Sequence, residues 1–216
     1  MSTSTPKSED TKTSTPYRQI RALYDEKTIT VYQAYSKEIA EAAVREQRLD
    51  ASPAFRCERM TWIKPSWCWM MYRSGYTTKD PRQTNILALT LTHTTFLTLL
   101  SRATVCKSNH GPLTASERSK PVRVQWDPER GPALEILPYR SLQVGIGKEV
   151  VREWVEGGGI VKIEDVSERA RDLGRWAEGR ERAGEGEWEE LVEKGLVPRE
   201  RVFDVPEEIR VGLEMS

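Results

Sequence analysis

The chain contains little cysteine or histidine and no long apolar run. Its three cysteines and two histidines show no metal-ligand spacing, and an odd cysteine count argues against a complete disulfide framework. We therefore predict a reducing compartment and no metal site. No window approaches the roughly 18 consecutive apolar residues of a membrane span, and residues 1–16 lack the apolar core of a signal peptide. We expect a cytoplasmic or nuclear protein with no membrane partner.

Net charge is also absent, because 33 Lys and Arg balance 33 Asp and Glu. Such a chain does not coat nucleic acid by bulk electrostatic attraction, although a local basic cleft stays compatible with this balance. The sequence also lacks the GxxxxGK[ST], HExxH and GxSxG patterns. These absences argue against a P-loop NTPase, a zinc protease of the HExxH type and a hydrolase with a nucleophile elbow.

Composition divides the chain into a tail and one domain. Residues 1–16 are mostly Ser, Thr, Pro and Lys, which cannot bury enough apolar surface to order themselves, so we predict a disordered N-terminal tail. Residues 17–216 are sufficient for a single compact domain. Within it, residues 107–121 have the composition of a mobile surface loop, and the part from about residue 167 is charged and helical.

The spacing of apolar residues predicts alternating strands and helices. TITVYQAY (28–35) alternates as a strand does, Ser36 stands at an N-cap position, and KEIAEAAVREQRL (37–49) has one apolar stripe. The predicted fold class is α+β, a single domain with a mixed, split β-sheet flanked by short helices. Further strands are predicted at MTWIK (60–64), ILALTLT (86–92), VRVQWD (122–127), ALEILP (133–138), SLQVGIG (141–147) and IVKIEDVS (160–167). Further helices are predicted at SWCWMMYRSG (66–75), TFLTLLSRA (95–103), KEVVREWVEG (148–157) and SERARDLGRWAE (167–178).

The stretch RMTWIKPSWCWMMYRSGY (59–76) combines three tryptophans with a lysine and two arginines. On an extended MTWIK, Trp62 and Lys64 share one face. One interpretation is a core unit whose basic side chains reach out to water. The other is a cleft wall on which a base or nicotinamide stacks, with Lys64 or Arg73 reaching a phosphate.

Two further groups of polar residues are candidates for binding. In YRQIRALYDE (17–26), a helical turn would place Arg18 beside Arg21 as an anion clamp, or both would belong to a charged surface face. In YRSLQVGIG (139–147), strand geometry places Arg140 on one face and Gln143 on the other. Gln143 then stands among apolar neighbours and needs a partner or a ligand.

RQIRALYDEKTITVYQAYSKEIAEAAV, RMTWIKPSWCWMMYRSGY, VQWDPER and YRSLQVGIG resemble an uncharacterised family, domain of unknown function 4291. More distantly, VYQAYSKEIAEAAVREQRL resembles the opening of ADP-ribosyltransferase-like domains, which implies that fold. There a Tyr-His-Gly-Thr-Ser strand end holds NAD. Here Gln33 replaces the His and Tyr35 a small hydroxyl residue, Tyr72 or Trp69 would be the aromatic near the nicotinamide, and Gln143 replaces a late-strand Glu.

Three functional hypotheses follow. The first is a nucleotide-handling transferase, NAD- or RNA-directed, in which Gln143 faces the reacting centre. Its base or nicotinamide ribose would be held by Gln33, Tyr35 and Tyr72, and its phosphates by Arg18, Arg21, Lys64 and Arg73. Trp62, Trp69 and Arg140 are further candidates for substrate binding. The second is an ATP-dependent nucleotidyl transferase or RNA-ligase-like enzyme with Lys64 as nucleophile, without the usual Lys-x-Asp-Gly pattern. The third is a non-catalytic module that binds RNA, nucleotide or protein. NAD and ATP are the candidate cofactors.

Overall fold

The computed structural model describes residues 15–106 and 120–216. Most of the predicted tail and of the predicted loop at 107–121 lies outside these residues. No helix within them is both long and apolar enough to cross a bilayer. The strands are β1 Arg21–Ala22, β2 Thr28–Tyr35, β3 Thr61–Ile63, β4 Asn85–Thr92, β5 Ala103–Val105, β6 Val122–Arg130, β7 Ile136–Ile146, β8 Ile160–Asp165 and β9 Arg201–Val202. The helices are α1 Lys37–Glu46, α2 Trp67–Ser74, α3 His93–Ser101, α4 Lys148–Glu156, α5 Ser167–Ala177, α6 Glu187–Glu193 and α7 Glu207–Gly212, with a 3₁₀ turn at Leu49–Ala51.

One sheet contains three antiparallel strands in the order β2-β4-β8. The pairing of β2 with β4 runs without interruption from Thr28 opposite Thr92 to Tyr35 opposite Asn85. Ile29 and Val31 alternate inward and are fully buried, which is the pattern that predicted this strand. This sheet forms one wall of the domain.

A second sheet contains four strands in the order β3-β7-β6-β5, antiparallel except for the parallel β5–β6 pair. One face is apolar and packs into the core, and the opposite face is polar. ALEILP and SLQVGIG were expected as two strands, and that division is wrong, because β7 runs unbroken through Pro138 to Ile146. The buried face carries Ile63, Val122, Val124, Trp126, Leu142, Val144 and Ile146.

The two sheets meet between β2 and the residue that follows β3. The Tyr32 amide donates to the Lys64 carbonyl at 2.7 Å, and the Lys64 amide donates to the Tyr32 carbonyl at 3.1 Å. Next to this pair, Gln33 Nε2 donates to Thr61 Oγ1 at 2.7 Å and to the Trp62 carbonyl at 3.1 Å. The predicted mixed α+β architecture is confirmed, and the sheet is split at this junction.

Helix α2 begins and ends where its sequence predicts. Ser66 Oγ accepts from the Trp69 amide at 3.1 Å, which satisfies one of the free N–H groups at the helix start. Gly75 ends the helix in the left-handed region, at φ +56°. Trp67, Met70 and Met71 are buried and pack with residues of β4 and α5. The aromatic stretch is therefore core on one side, as one of its two interpretations proposed.

Residues 17–26 do not form the helical turn that would have placed Arg18 beside Arg21. This segment is extended, and β1 pairs with β9 near the C-terminus. The Phe203 amide donates to the Ile20 carbonyl at 2.9 Å, so the backbone groups of the segment are satisfied by a distant strand rather than within a helix. Arg18 forms an ion pair with Glu214 Oε2 at 2.6 Å. Arg18 and Arg21 therefore do not form a common anion clamp.

Candidate functional site

A cleft with a volume of about 600 Å³ opens where the two sheets separate. Its floor is the polar face of the second sheet, and its walls come from β2, α2 and the loop before β4. Six of the predicted site residues line it: Gln33, Tyr35, Trp62, Lys64, Arg73 and Gln143. The other lining residues are Ala34, Arg59, Met60, Thr61, Met70, Arg82, Gln83 and Gln125.

The floor is organised by two amides and a carboxylate on neighbouring strands. Gln143 lies directly opposite Gln125 in the β6–β7 pair. Its Nε2 donates to Gln125 Oε1 at 2.7 Å and to Asp127 Oδ2 at 2.6 Å. Burial raises the pKa of Asp127, while the Gln143 hydrogen bond and the charge of Lys64 act in the opposite direction. Gln143 therefore has hydrogen-bond partners within the protein, as a polar side chain among apolar neighbours requires.

The remaining amide groups of this pair are open to a ligand. A glutamine side chain offers two N–H donors and an acceptor oxygen. Among the described residues, none donates to Gln143 Oε1 and none accepts from Gln125 Nε2. The floor therefore presents one acceptor and one donor group to the cleft.

Trp62 covers part of the floor because Gly145, its partner across β3 and β7, has no side chain. A Cβ added at Gly145 would lie 2.8 Å from the nearest indole atom of Trp62. Gly145 thereby makes the space in which the ring of Trp62 lies across β7. Trp62 and Lys64 share this face, as the strand period predicted.

Lys64 lies at the inner end of the cleft and is only 5% exposed. Its Nζ stands 5.1 Å from the ring centre of Trp69, and no hydrogen bond from it to any other described residue is present. Burial, reinforced by the positive charge of Arg73, lowers the pKa of Lys64 to about 7, against a smaller opposing effect of Asp127. A substantial fraction of this amine is therefore neutral at neutral pH.

Arginine side chains surround the opening of the cleft. Arg73 Nη1 donates to Gln83 Oε1 at 3.1 Å, and Arg82 forms a forked pair with Asp80, at 3.1 and 2.9 Å. Arg59 is exposed. The described residues that line the cleft include three arginines, Arg59, Arg73 and Arg82, and the partly protonated Lys64, but no carboxylate. This distribution attracts anions.

Gln33 and Tyr35 line the cleft but are fully engaged by the protein. Gln33 Oε1 accepts from the Tyr35 hydroxyl at 3.0 Å, and its amide nitrogen connects to β3. Burial raises the pKa of the Tyr35 hydroxyl, which keeps it neutral. Both side chains hold β2 against β3, so the structure places them as supports of the wall rather than as free ligand groups.

The other predicted site residues lie away from the cleft lining. Trp69 is buried behind Lys64. The Arg130 guanidinium stacks on the ring of Tyr72, with its central carbon 3.7 Å from the ring centre. Arg140 donates to the Tyr17 hydroxyl at 2.7 Å and to the Trp126 carbonyl at 3.2 Å. The structure does not bring Tyr72 or Arg140 into the cleft lining beside Lys64, because each packs against other residues of the protein.

Arg21 lies in a separate cavity of about 260 Å³. Its guanidinium stacks on Tyr139 at 4.5 Å, and its buried Nη1 has no partner among the described residues. Three acidic side chains, Glu129, Glu189 and Glu200, line the same cavity. Burial raises the pKa of Glu129, and burial together with the charge of Glu129 raises that of Glu200 well above its usual range. Glu200 Oε1 accepts from the Trp67 amide at the start of α2 at 2.7 Å.

Sequence reasoning missed part of the cleft. Gln125 and Asp127 could have been found, because the alternation of VRVQWD places them on the same strand face. Arg82 and Gln83 lie in a loop without any period, and no local pattern marks them. Among the described residues there is no cluster of three or more side chains able to hold a metal ion.

Comparison with protein families gives a match, and its range includes every residue that lines the cleft. The model of the family described as "Domain of unknown function (DUF4291)" matches residues 19–203. Comparison with curated proteins gave no match. The match spans most of the chain, so the chain belongs to the DUF4291 family.

Proposed function

We propose that this member of the DUF4291 family binds a nucleotide, free or at the end of an RNA strand, in the cleft between its two sheets. The observation that carries the proposal is the convergence of two kinds of group in one concave site. Cations line it without an acidic residue among them, and the amides of Gln125 and Gln143 keep unfilled hydrogen-bonding capacity. A nucleotide needs both kinds of partner.

The phosphates would be held at the opening of the cleft. Guanidinium groups match phosphate oxygens with two parallel N–H donors. Arg73 keeps donors beyond its single bond to Gln83, and Arg59 is exposed beside it. The protonated fraction of Lys64 adds a point charge deeper in the cleft.

The base would lie against the floor. Unpaired bases are recognised by hydrogen bonds on their edges and by stacking on aromatic rings. Gln125 Nε2 and Gln143 Oε1 supply a donor and an acceptor from adjacent strands, and the indole of Trp62 supplies a flat apolar surface beside them. This arrangement supports base recognition without the engaged side chains of Gln33 and Tyr35.

For the chemistry, we propose transferase action with Lys64 as the reacting group. A lysine with a pKa of about 7 is partly neutral and nucleophilic under physiological conditions. With ATP, Nζ would form a bond to the α-phosphorus, pyrophosphate would leave, and the amine would lose its proton. This is the nucleotidyl-transferase hypothesis, which the low pKa of Lys64 specifically favours.

An NAD-directed reaction on an ADP-ribosyltransferase-like scaffold is the second candidate. The position of the resembling strand end supports it, because Gln33, Ala34 and Tyr35 line the cleft and Ser36 lines the adjoining cavity. Gln143 provides no carboxylate to stabilise an oxocarbenium ion. The carboxylate of Asp127 accepts a hydrogen bond from Gln143 Nε2. Asp127 would therefore take that electrostatic role.

Binding is tested by a thermal-shift panel with NAD, ADP-ribose, ATP with magnesium, and a short RNA. A ligand at one hundred times its Kd stabilises the folded state by about 2.7 kcal/mol, which such a panel detects. We expect a shift that the Arg73→Ala, Arg82→Ala double variant loses. Arg45→Ala is the matched control, since Arg45 is an exposed arginine of α1 outside the cleft. A shift that survives in the double variant, or no shift with any ligand, contradicts the assignment of the cleft.

Chemistry is tested separately with ATP labelled at the α-phosphate. Denaturation after incubation with magnesium should leave label on the wild-type protein and none on the Lys64→Arg variant. Binding of ATP without any adduct would reject the nucleotidyl-transferase step. If no ligand in the panel is turned over, the protein is a binding module, which is the third hypothesis.

A further inference from the structure

The cleft continues into a second cavity of about 350 Å³, which we call the side groove. The two cavities share five lining residues: four on β2, β3 and the segment before β3, and Arg82 in the loop before β4. Beyond the shared part, the side groove is lined by Ser36, Ile39, Ala54, Phe55 and Arg56. It is as large as a small ligand pocket and lies directly next to the site proposed for a nucleotide.

The side groove carries cations that the protein leaves unpaired. Neither the Arg56 nor the Arg59 guanidinium makes a hydrogen bond or ion pair with any other described residue. A turn in which the Arg59 amide donates to the Arg56 carbonyl at 3.2 Å places both at one edge of the groove. By contrast, the nearby Arg48 is paired with Asp50 at 2.9 Å.

Carboxylates in this neighbourhood are engaged elsewhere. Glu58, in the same turn, lies 3.8 Å from the Arg152 guanidinium of α4. Glu38 accepts from Ser52 Oγ at 3.4 Å. Among the described residues that line the side groove, none is acidic. The free positive charge of Arg56 and Arg59 is therefore available to an anion.

The same groove offers an aromatic surface. Phe55 is half-buried and lines the groove beside Tyr35, with ring centres 5.9 Å apart and planes at 60°. Single-stranded nucleic acid is bound where a basic track follows its phosphates and aromatic rings stack its bases. The side groove has both components, and it begins where the nucleotide cleft ends.

We propose that the side groove holds the neighbouring nucleotide, so that the ligand is a single-stranded oligonucleotide whose end lies in the cleft. Phe55 stacks the neighbouring base, and Arg56 with Arg59 contacts the phosphodiester that joins the two nucleotides. This inference rests on the proposed function of the cleft. It adds the substrate class, because a mononucleotide would leave the side groove empty.

The test compares one mononucleotide with di-, tri- and tetranucleotides of the same base, as RNA and as DNA, by isothermal titration at fixed salt. We expect affinity to rise at least tenfold from the mononucleotide to the trinucleotide. Arg56→Glu and Phe55→Leu should remove that gain while leaving mononucleotide affinity within twofold. Phe55→Leu keeps an apolar side chain against the core, and Arg210→Glu is the control because Arg210 is an exposed arginine outside both cavities.

The outcomes separate the two proposals. Equal affinity for mononucleotides and oligonucleotides overturns the side groove and leaves the cleft assignment intact. A length-dependent gain that persists in both groove variants also overturns it. No binding of any length overturns the cleft assignment and the side groove together. A gain seen with RNA and not with DNA, and lost in the variants, supports the inference and identifies RNA as the strand.

Discussion

The buried Lys64 makes a quantitative prediction about stability. Its pKa falls from an ordinary 10.5 to about 7 on folding. Each unit corresponds to about 1.4 kcal/mol, so keeping this lysine protonated in the folded state costs on the order of 5 kcal/mol. Replacing it with methionine removes the charge and keeps an unbranched chain of similar length. We expect Lys64→Met to be more stable than wild type by about 4 kcal/mol at pH 7.

The dependence on pH has a defined sign. Between pH 7 and pH 10.5 the unfolded chain holds the Lys64 proton and the folded protein has lost it. The unfolded state thus binds more protons, and wild-type stability rises with pH in this window. The advantage of Lys64→Met should accordingly be full below pH 7 and shrink steadily towards pH 10.5.

Urea unfolding at pH 6, 7, 8 and 9 measures this difference. Lys27→Met is the matched control, because Lys27 is exposed, and it should stay within about 0.5 kcal/mol of wild type at every pH. A Lys64→Met variant no more stable than wild type, or an advantage that does not change with pH, would refute the argument. Such a result would mean that the amine reaches water or a partner in the folded state.

Three further predictions rest on other parts of the structure. Gly145→Val should displace the Trp62 indole and destabilise the fold by about 1–3 kcal/mol, seen as a lower urea midpoint and a shift in tryptophan emission; an unchanged emission would contradict the contact. Glu200→Gln keeps the side-chain acceptor for the Trp67 amide and removes a carboxyl whose pKa is raised on folding. Because the folded wild-type protein binds this proton more tightly than the unfolded chain does, its stability falls as pH rises above about 4.3. The variant should therefore gain stability relative to wild type from pH 5 to pH 8 in urea titrations, and a constant difference would reject this. Nucleotide affinity should fall with rising KCl, less steeply for Arg73→Ala, and equal slopes would remove Arg73 from the phosphate contacts.

The sequence predicted those parts of the fold whose contacts are local or periodic. Strand β2 and helix α2 are recognisable because alternation, the Ser66 cap and the Gly75 stop all lie within a few residues. Trp62 and Lys64 share a face because side chains two residues apart in a strand point the same way. The same two-residue period places Gln143 on the polar face of the second sheet.

Long-range pairing decides what the sequence did not show. Arg18 and Arg21 have helical spacing, but their backbone pairs with the C-terminal segment, and no local pattern encodes a partner so far along the chain. Tyr72 lies in the predicted helix, yet Arg130 of β6 covers its ring. Arg82 enters the cleft from a loop whose course depends on the sheets that it joins.

The junction between the sheets has a consequence for motion. Lys64 joins them through its own backbone, by the reciprocal hydrogen bonds with Tyr32. A movement that widens the gap between the sheets would therefore strain or break these bonds, and the buried amine of Lys64 belongs to the residue that forms them. A ligand that contacts both Arg73 and Gln125 would oppose such a movement. Slower amide hydrogen exchange at Tyr32 and Lys64 would then report occupancy of the cleft without any label on the ligand.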